Sequence, residues 1–507
     1  MPGEEIRLGP FVGGLNTFSD PTAIDDVELA ICENFDMYPD GTLVNRPPIN
    51  DLNIAMPLPA LGSMVVLGWF VSPSGAPALI GTDNVNSTYY FDGNAWVLIT
   101  NTIAAAAIAQ YRDKLWLIAA PTSPNPGGSW ELGGVFTAVP TMPKGRTIAV
   151  SKERLWVGPG KNVTSNGSRV YFCAIADPNT WNGDFITINT GDGQNVLEIT
   201  VYFQDLLIFK NNSTYRFSYD IDPAMGTISR VSDTVGIFDT GCVTTFENRI
   251  FVLHNNSLYE LSNYNYDRLN DRVPFRANNT STALTAIASL SYFSNRVFVS
   301  FFDVLYVWSV KTRSWSTWNS VALSNIGEIF PIPGEQENTP TAYTSSRSLY
   351  SDALFDIVDA ITANSEAMSC TLRTKNFDYE TASRFKRLFS WGLDCIARST
   401  VEGTVIPVEF ATTVTWGQLK AFTWGDVKQS PWGRLLGSTS ERVDTVAISG
   451  LTGERKYIKL GDRSLRFRQV GFKVKIDTDG TSATAPVVVF NLLTSVKDKQ
   501  SVVKRIS

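Results

Sequence analysis

Apolar and polar positions along the middle of the chain fall into short runs that recur. From about residue 108 to residue 300 one unit returns: an apolar or aromatic residue, a polar turn ending in Lys or Arg, then three or four β-formers. The copies are Tyr111-Arg-Asp-Lys114-Leu-Trp-Leu-Ile118, Val150-Ser-Lys-Glu-Arg154-Leu-Trp-Val157, Phe246-Glu-Asn-Arg249-Ile-Phe-Val-Leu253 and Phe293-Ser-Asn-Arg296-Val-Phe-Val299. A degenerate copy, Tyr202-Phe-Gln-Asp205-Leu-Leu-Ile-Phe209, lacks the basic residue. Counted between the turn residues Asp113, Glu153, Asp205, Asn248 and Asn295, successive copies lie 40 to 52 residues apart. Copies lead on to further strands at Val170-Tyr171-Phe172, Thr214–Phe217, Leu258–Leu261 and Leu305–Trp308. A hairpin followed by another strand every ~40–50 residues is the period of a β-propeller blade. The strands alternate or are wholly apolar, as blades packed face to face require.

Segments outside the clearest copies extend the pattern. Tyr89–Trp96 reads as a hairpin in a first blade and Ser348–Tyr350 as a strand in the last. Leu305–Trp318 reads as a strand, a turn at Lys311-Thr-Arg313 and a returning Trp-rich strand, a pattern that kelch-like blades share. Asp352–Glu366 has no turn residues and predicts a linker or short helix. After it, runs at Ser369–Phe377, Arg387–Ile396, Val405–Val414, Val470–Ile476 and Val487–Leu493 predict non-repeating strands of a β-sandwich. Near the start, Asp25-Asp26 is expected to cap a short helix ending near Asn34, before a turn at Pro39-Asp40-Gly41. The expected architecture is all-β: a β-propeller of about six or seven blades followed by a C-terminal β-sandwich. Its divisions are a strap with a short helix over 1–60, the propeller over 61–352, a linker over 353–366 and the sandwich over 367–507.

Composition supports many short strands, with 12% aromatic residues, 37 Gly and 25 Pro in 507 residues. The net charge of −6 lacks the basic footprint of a dedicated nucleic-acid binder. The five cysteines, Cys32, Cys173, Cys242, Cys370 and Cys395, are scattered and read as buried thiols. The acidic start Met1-Pro2-Gly3-Glu4-Glu5 predicts no signal peptide, hence synthesis in a reducing cytoplasm. Met64–Val71, the longest apolar stretch, falls well short of the ~20 residues that a membrane-spanning helix needs.

Chemistry is sparse. The single histidine, His254, lies in Leu253-His-Asn-Asn-Ser257, a hairpin turn with no nucleophile elbow to serve. Thr190-Gly-Asp-Gly-Gln194 is glycine-rich but reads as an interblade turn rather than a phosphate loop. Asp477-Thr-Asp479-Gly480 opens like a calcium loop without its downstream acidic ligand. No catalytic, cofactor or metal residue is assigned, and no enzymatic activity is expected. Trp416-Gly417, Trp424-Gly425 and Trp432-Gly433 recur every eight residues. They are a candidate interface, either for a partner protein or as a stacking platform for sugars; the alternative is that they pack onto the sandwich and cover its edge.

The opening carries an ordered set of motifs: Phe11-Val-Gly13-Gly14-Leu-Asn16-Thr17 through Asp20-Pro21, then Asp26-Val-Glu28-Leu29, Glu33-Asn34-Phe35, Asp40-Gly41-Thr42-Leu43 and Arg46-Pro47-Pro48. This order resembles the N-terminal signature of tailed-bacteriophage tail proteins. Asp205–Lys210 with Ser213–Phe217 is similar to that group's central blade, and Arg373–Phe377 with Phe385–Arg387 to the entry of its C-terminal sandwich. The signature residues are Gly13, Gly14, Asn16, Asn34, Gly41, Arg46 and Pro47. The resemblance implies a virion structural protein, either a minor tail or tail-tip protein or the nozzle of a short tail. It would be made in the host bacterial cytoplasm and assemble as a homo-oligomer, ring-like or otherwise symmetric, with other tail proteins. DNA would pass as cargo, and the tail end would meet the host surface. The competing expectation from the residues alone is a propeller that binds or cleaves glycans.

Overall fold

The computed structural model describes residues 4–47, 49–51, 64–83, 85–161, 163, 166–275, 289–301, 304–319, 326–333, 341–346, 354–358, 368–379, 386–397, 400–408, 446–448, 454–461, 465–467, 469–477 and 487–498. The chain forms two compact units. One comprises Pro47–Val307 and Asn319–Ala360, the other Met1–Arg46, Trp308–Trp318 and Ile361–Ser507.

The first unit is a β-propeller with seven blades among the described residues. Blade I is Met64–Val71, Pro77–Asp83, Thr88–Phe91 and Trp96–Thr100. Blade II is Ala105–Tyr111, Lys114–Ala119, Gly128–Trp130 and Thr137–Ala138, and blade III is Thr147–Ser151, Arg154–Gly158, Arg169–Phe172 and Phe185–Thr187. Blade IV is Glu198–Tyr202, Asp205–Phe209, Thr214–Ser218 and Thr227–Ser232. Blade V is Val243–Phe246, Arg249–His254, Ser257–Ser262 and Asn265–Arg268. Blade VI contributes Ser289–Phe293, Arg296–Phe301 and Val304–Ser309, and blade VII is Ile326–Pro331, Thr341–Ser346, Leu354–Val358 and Ile49–Asp51.

The sequence repeat is the hairpin between the first and second strands of blades II to VI. Each two-residue turn starts in left-handed backbone, and in blades III and VI both residues do: Lys152 (φ 45°) with Glu153 (φ 58°) and Ser294 (φ 48°) with Asn295 (φ 60°). That geometry matches the twist of the flanking strands. The second strands of blades II to V are apolar over their central residues because both of their faces are covered by neighbouring blades. Leu206, Leu207, Ile208 and Phe209 are each fully buried, as are Ile250 to Leu253 to within 1%. Between blades III and IV, Trp156 packs its ring 4.9 Å from Phe172, 5.7 Å from Phe217 and 5.2 Å from Tyr219. The ring of blades closes where Phe330 joins Val66, Leu79, Phe91 and Trp96 in one cluster, and Trp69 Nε1 donates to the Phe330 carbonyl at 3.3 Å.

The second unit is a sandwich whose core includes Trp391 against Phe472, ring centroids 5.1 Å apart. One sheet runs Arg455–Gly461, Lys386–Ile396, Val488–Asp498, Leu43–Asn45, Phe35–Met37, with Glu4–Leu8 also on Val488–Asp498. Within this unit the other runs Ser314–Trp318, Glu28–Glu33, Ser369–Thr374, Gln469–Asp477, Val401–Val408, Val446–Ile448.

Three expectations are corrected here. The helix expected after Asp25-Asp26 is the strand Glu28–Glu33, which pairs antiparallel with Ser369–Thr374. Its Leu29 and Cys32 are fully buried, and strand partners more than 300 residues away outweigh a local capping signal. The expected linker contains Leu354–Val358, the third strand of blade VII, paired with Thr341–Ser346 and Ile49–Asp51. The expected strap is mostly sandwich: residues 4–45 supply five of its strands, and of the described strap residues only Ile49–Asp51 lies across a blade.

Candidate functional site

Six of the seven signature residues fall into three places in the sandwich unit. Asn34 sits in left-handed backbone (φ 60°) between two strands, and every polar group it carries is used. Its backbone N–H donates to Thr317 O at 2.7 Å and its carbonyl accepts from Arg46 N at 3.0 Å. Its side chain accepts from Arg46 Nε at 2.8 Å and donates to Ser369 O at 2.7 Å. Arg46 is completely buried, with its guanidinium 5.7 Å from the centroid of the Trp318 ring. A charge so far from water persists only with such partners.

Gly13, Gly14 and Asn16 form the second place. Gly14 has φ +72°, and a Cβ there would lie 2.7 Å from Ser314 Cβ. Gly14–Leu15 runs parallel to Glu28-Leu29, and Asn16 Nδ2 donates to the buried Glu28 carboxylate at 2.8 Å. At the third, Gly41 (φ +83°) turns the chain between Phe35–Met37 and Leu43–Asn45, where a Cβ would meet Pro10 Cβ at 2.1 Å. The Thr42 hydroxyl bonds Asp40 there and holds its carboxyl below the usual range. Pro47 opens the propeller unit. Sequence reasoning did not single out Thr317, Trp318 and Ser369, partners that make these residues interlock; Trp318 had a local signal, its place in a Trp-rich strand.

In the propeller, the hairpin turns of blades II to V lie on one face; those of II and III touch, as do those of IV and V. Arg112 pairs with Glu153 at 3.3 Å, Tyr111 OH donates to Glu153 Oε2 at 2.8 Å, and Tyr202 OH donates to Asn248 O at 3.0 Å. Lys152 Nζ bonds the Tyr219 carbonyl and lies 4.5 Å over the Tyr219 ring. A cleft of about 650 Å³ opens on this face, lined by Lys152, Phe203, Asp205, Tyr219, Met225 and Tyr264. Burial would raise the Asp205 carboxyl, but hydrogen bonds from Tyr264 (2.6 Å) and Ser218 and the Arg216 pair (2.7 Å) hold it below the usual range. Tyr264 is in turn pushed up to about 12, by burial and by bonding that carboxylate.

Away from that face, the interblade turn Thr190–Asp192 delivers Asp192 to Lys210. The amine is fully buried, bonding both Asp192 oxygens at 2.9 and 3.0 Å and Asn189 O at 2.9 Å. Nearby, burial pushes the Glu198 carboxyl up to about 7, against a 2.7 Å hydrogen bond from Thr147 Oγ1.

His254 is buried at the Asn255-Asn256 turn, facing Phe238 at 6.0 Å with Nδ1 accepting from Gly236 N at 3.4 Å. Burial lowers its pKa and favours the neutral ring. All five cysteines are buried free thiols. Among the described residues no three His, Cys, Asp or Glu side chains converge as metal ligands, and no helix is long and apolar enough to cross a membrane. Trp416, Trp424, Trp432 and the residues 478–480 lie outside the described residues.

The fold thus defines a propeller protein with an added sandwich. No family model and no curated protein matches the chain. Among solved structures it is similar to the extracellular domain of a hybrid two-component system from B. thetaiotaomicron, at 13% identity and TM-score 0.44, over 69% of this chain and 43% of that one. It is also similar to YCF48 from Cyanidioschyzon merolae (11%, TM-score 0.40, 61% of this chain and 98% of that). The Neurospora crassa Pan2 WD40 domain is a third (8%, TM-score 0.42, 62% and 96%). The chain spans less than half the length of the first of these.

Proposed function

We propose that this chain is a non-enzymatic structural subunit of a tailed-bacteriophage virion, a minor tail, tail-tip or nozzle protein. The supporting observation is that Asn34 and Arg46, two residues of the tail-protein signature, meet in one buried hydrogen-bonded contact. Gly14 and Gly41 occupy backbone that side chains would obstruct. A signature made of such residues reports how a unit is built, which is what structural subunits share. In this reading copies of the chain assemble symmetrically with other tail proteins, DNA passes as cargo, and the tail end meets the host. A rigid disc of blades suits stacking in such an assembly.

Mass spectrometry of purified particles tests the assignment. The protein is expected in particles at constant stoichiometry, and its absence overturns the reading. Trp416, Trp424 and Trp432 are the proposed aromatic interface. Trp424→Ala is expected to weaken assembly while the isolated subunit keeps a cooperative melt; loss of soluble folding instead would make these tryptophans core.

A further inference from the structure

One residue on the loop face of the propeller is of a kind that its turn does not favour. In the first hairpins of blades II to VI the leading turn residue has left-handed backbone: Arg112 (φ 55°), Lys152 (φ 45°), Phe203 (φ 54°), Glu247 (φ 50°) and Ser294 (φ 48°). All but Phe203 are polar. A bulky apolar residue is rare in this conformation, and burial does not compensate it here, since Phe203 is 54% exposed. Its ring is nonetheless supported. It lies 4.4 Å from Tyr202, whose hydroxyl donates to Asn248 O and accepts from Asn263 N, each at 3.0 Å. Tyr202 in turn meets Tyr264 edge-on at 5.2 Å. An unfavoured backbone conformation that presents a supported ring to solvent points to a ligand.

Phe203 lines the cleft of about 650 Å³, a volume within the ~300–1,000 Å³ of small-ligand sites. The other walls are largely polar, and two of their groups are fixed. Arg216 bonds the buried Asp205 through Nε at 2.7 Å and lies 4.4 Å over the Tyr264 ring. Its terminal amines make no further hydrogen bond among the described residues. Lys152 is held against Tyr219. Gln204 and Asp220, both exposed, add an amide and a carboxylate. Lys152 and Arg216 balance Asp205 and Asp220, so the cleft exerts no net pull on a phosphate-bearing or a polybasic ligand.

We infer that this cleft binds a neutral saccharide. A pyranose has a face of C–H groups that stacks on an aromatic ring and a rim of hydroxyls that both donate and accept. Phe203 offers the ring, Arg216 donates, Asp220 accepts, and the Gln204 amide does both. Every one of these residues belongs to the propeller unit. Saccharide binding does not depend on the virion assignment, since binding and presence in particles are separate measurements.

The test applies the full chain to an array of neutral and acidic oligosaccharides and titrates the strongest neutral binder by calorimetry. Saturable binding of a neutral oligosaccharide is expected. Phe203→Asn should weaken it about tenfold or more while the melting temperature holds or rises, because Asn suits left-handed backbone better than Phe. Phe203→Trp should retain binding, and Gln204→Ala should weaken it without altering the melt. Failure of every neutral oligosaccharide to bind at up to about 1 mM overturns the proposal. So does binding confined to acidic glycans, or binding that Phe203→Asn leaves unchanged. A fall in melting temperature of about 5 °C or more in Phe203→Asn overturns it as well, since the ring would then be packing.

Discussion

The two units hold together in different ways. In the propeller, strands pair mostly with their neighbours along the chain, such as Glu198–Tyr202 with Asp205–Phe209, and blades are joined by aromatic layers like that of Trp156. Among the described residues, Ile49–Asp51 alone reaches back from far away to complete a blade. In the sandwich, several pairings join the start of the chain to its later part: Glu4 lies opposite Val496, Leu43 opposite Val489, Glu33 opposite Thr371. There a buried polar contact, Arg46 with Asn34, sits where three distant segments meet. Apolar burial is non-directional and can be repeated blade after blade. A hydrogen-bonded charge specifies one arrangement and is costly when half of it is removed.

Trp156→Ala should have the largest effect, about 4 kcal/mol, because a large buried ring leaves a cavity that the neighbouring blade fills poorly. In hydrogen exchange followed by mass spectrometry, protection should fall across blades III and IV and hold in the sandwich strands. Protection lost equally in both units would break the contrast. Arg46→Ala should cost about 3 kcal/mol and act in the reverse sense, exposing Glu28–Glu33 and Ser369–Thr374 first. Lys at this position should not restore stability, since the contact needs Nε–H and a flat guanidinium over Trp318. Gly41→Ala should cost about 2 kcal/mol in urea unfolding, from left-handed backbone and the clash with Pro10.

The smallest effect is pH-dependent and confined to the propeller. The Glu198 carboxyl is raised by burial to about 7, above its unfolded value, so the folded state binds more protons between the two. Its contribution is therefore greatest at low pH and declines as pH rises from about 4.5 to 7. Glu198→Gln keeps an acceptor for Thr147 and should stabilise the protein by about 1–2 kcal/mol at pH 8. It should change little below pH 4.5. Equal melting shifts at both pH values would show that the carboxyl is not held in its neutral form.

The blades were legible because their information is local. A two-residue turn, an apolar second strand and an aromatic layer all lie within one period, so Lys152-Glu153 and Leu155–Val157 announce themselves wherever the chain is read. The signature residues were legible as residues but not as a contact. Glu28–Glu33 carries a helix-capping signal just before it and no alternation strong enough to oppose one, and its partner strand begins at Ser369. Leu354–Val358 reads as a connector until Ile49–Asp51 pairs with it to complete blade VII.

By itself, then, the sequence determined the all-β class, the propeller period and the hairpin positions, since turn geometry and strand burial act over a few residues. Tertiary structure alone decided which distant strands complete blade VII and the sandwich. It also decided which atoms satisfy Arg46, Lys210 and Glu198. The physical reason is that a buried polar group is defined by its partners, and in this chain those partners come from other strands, turns and blades, up to hundreds of residues away.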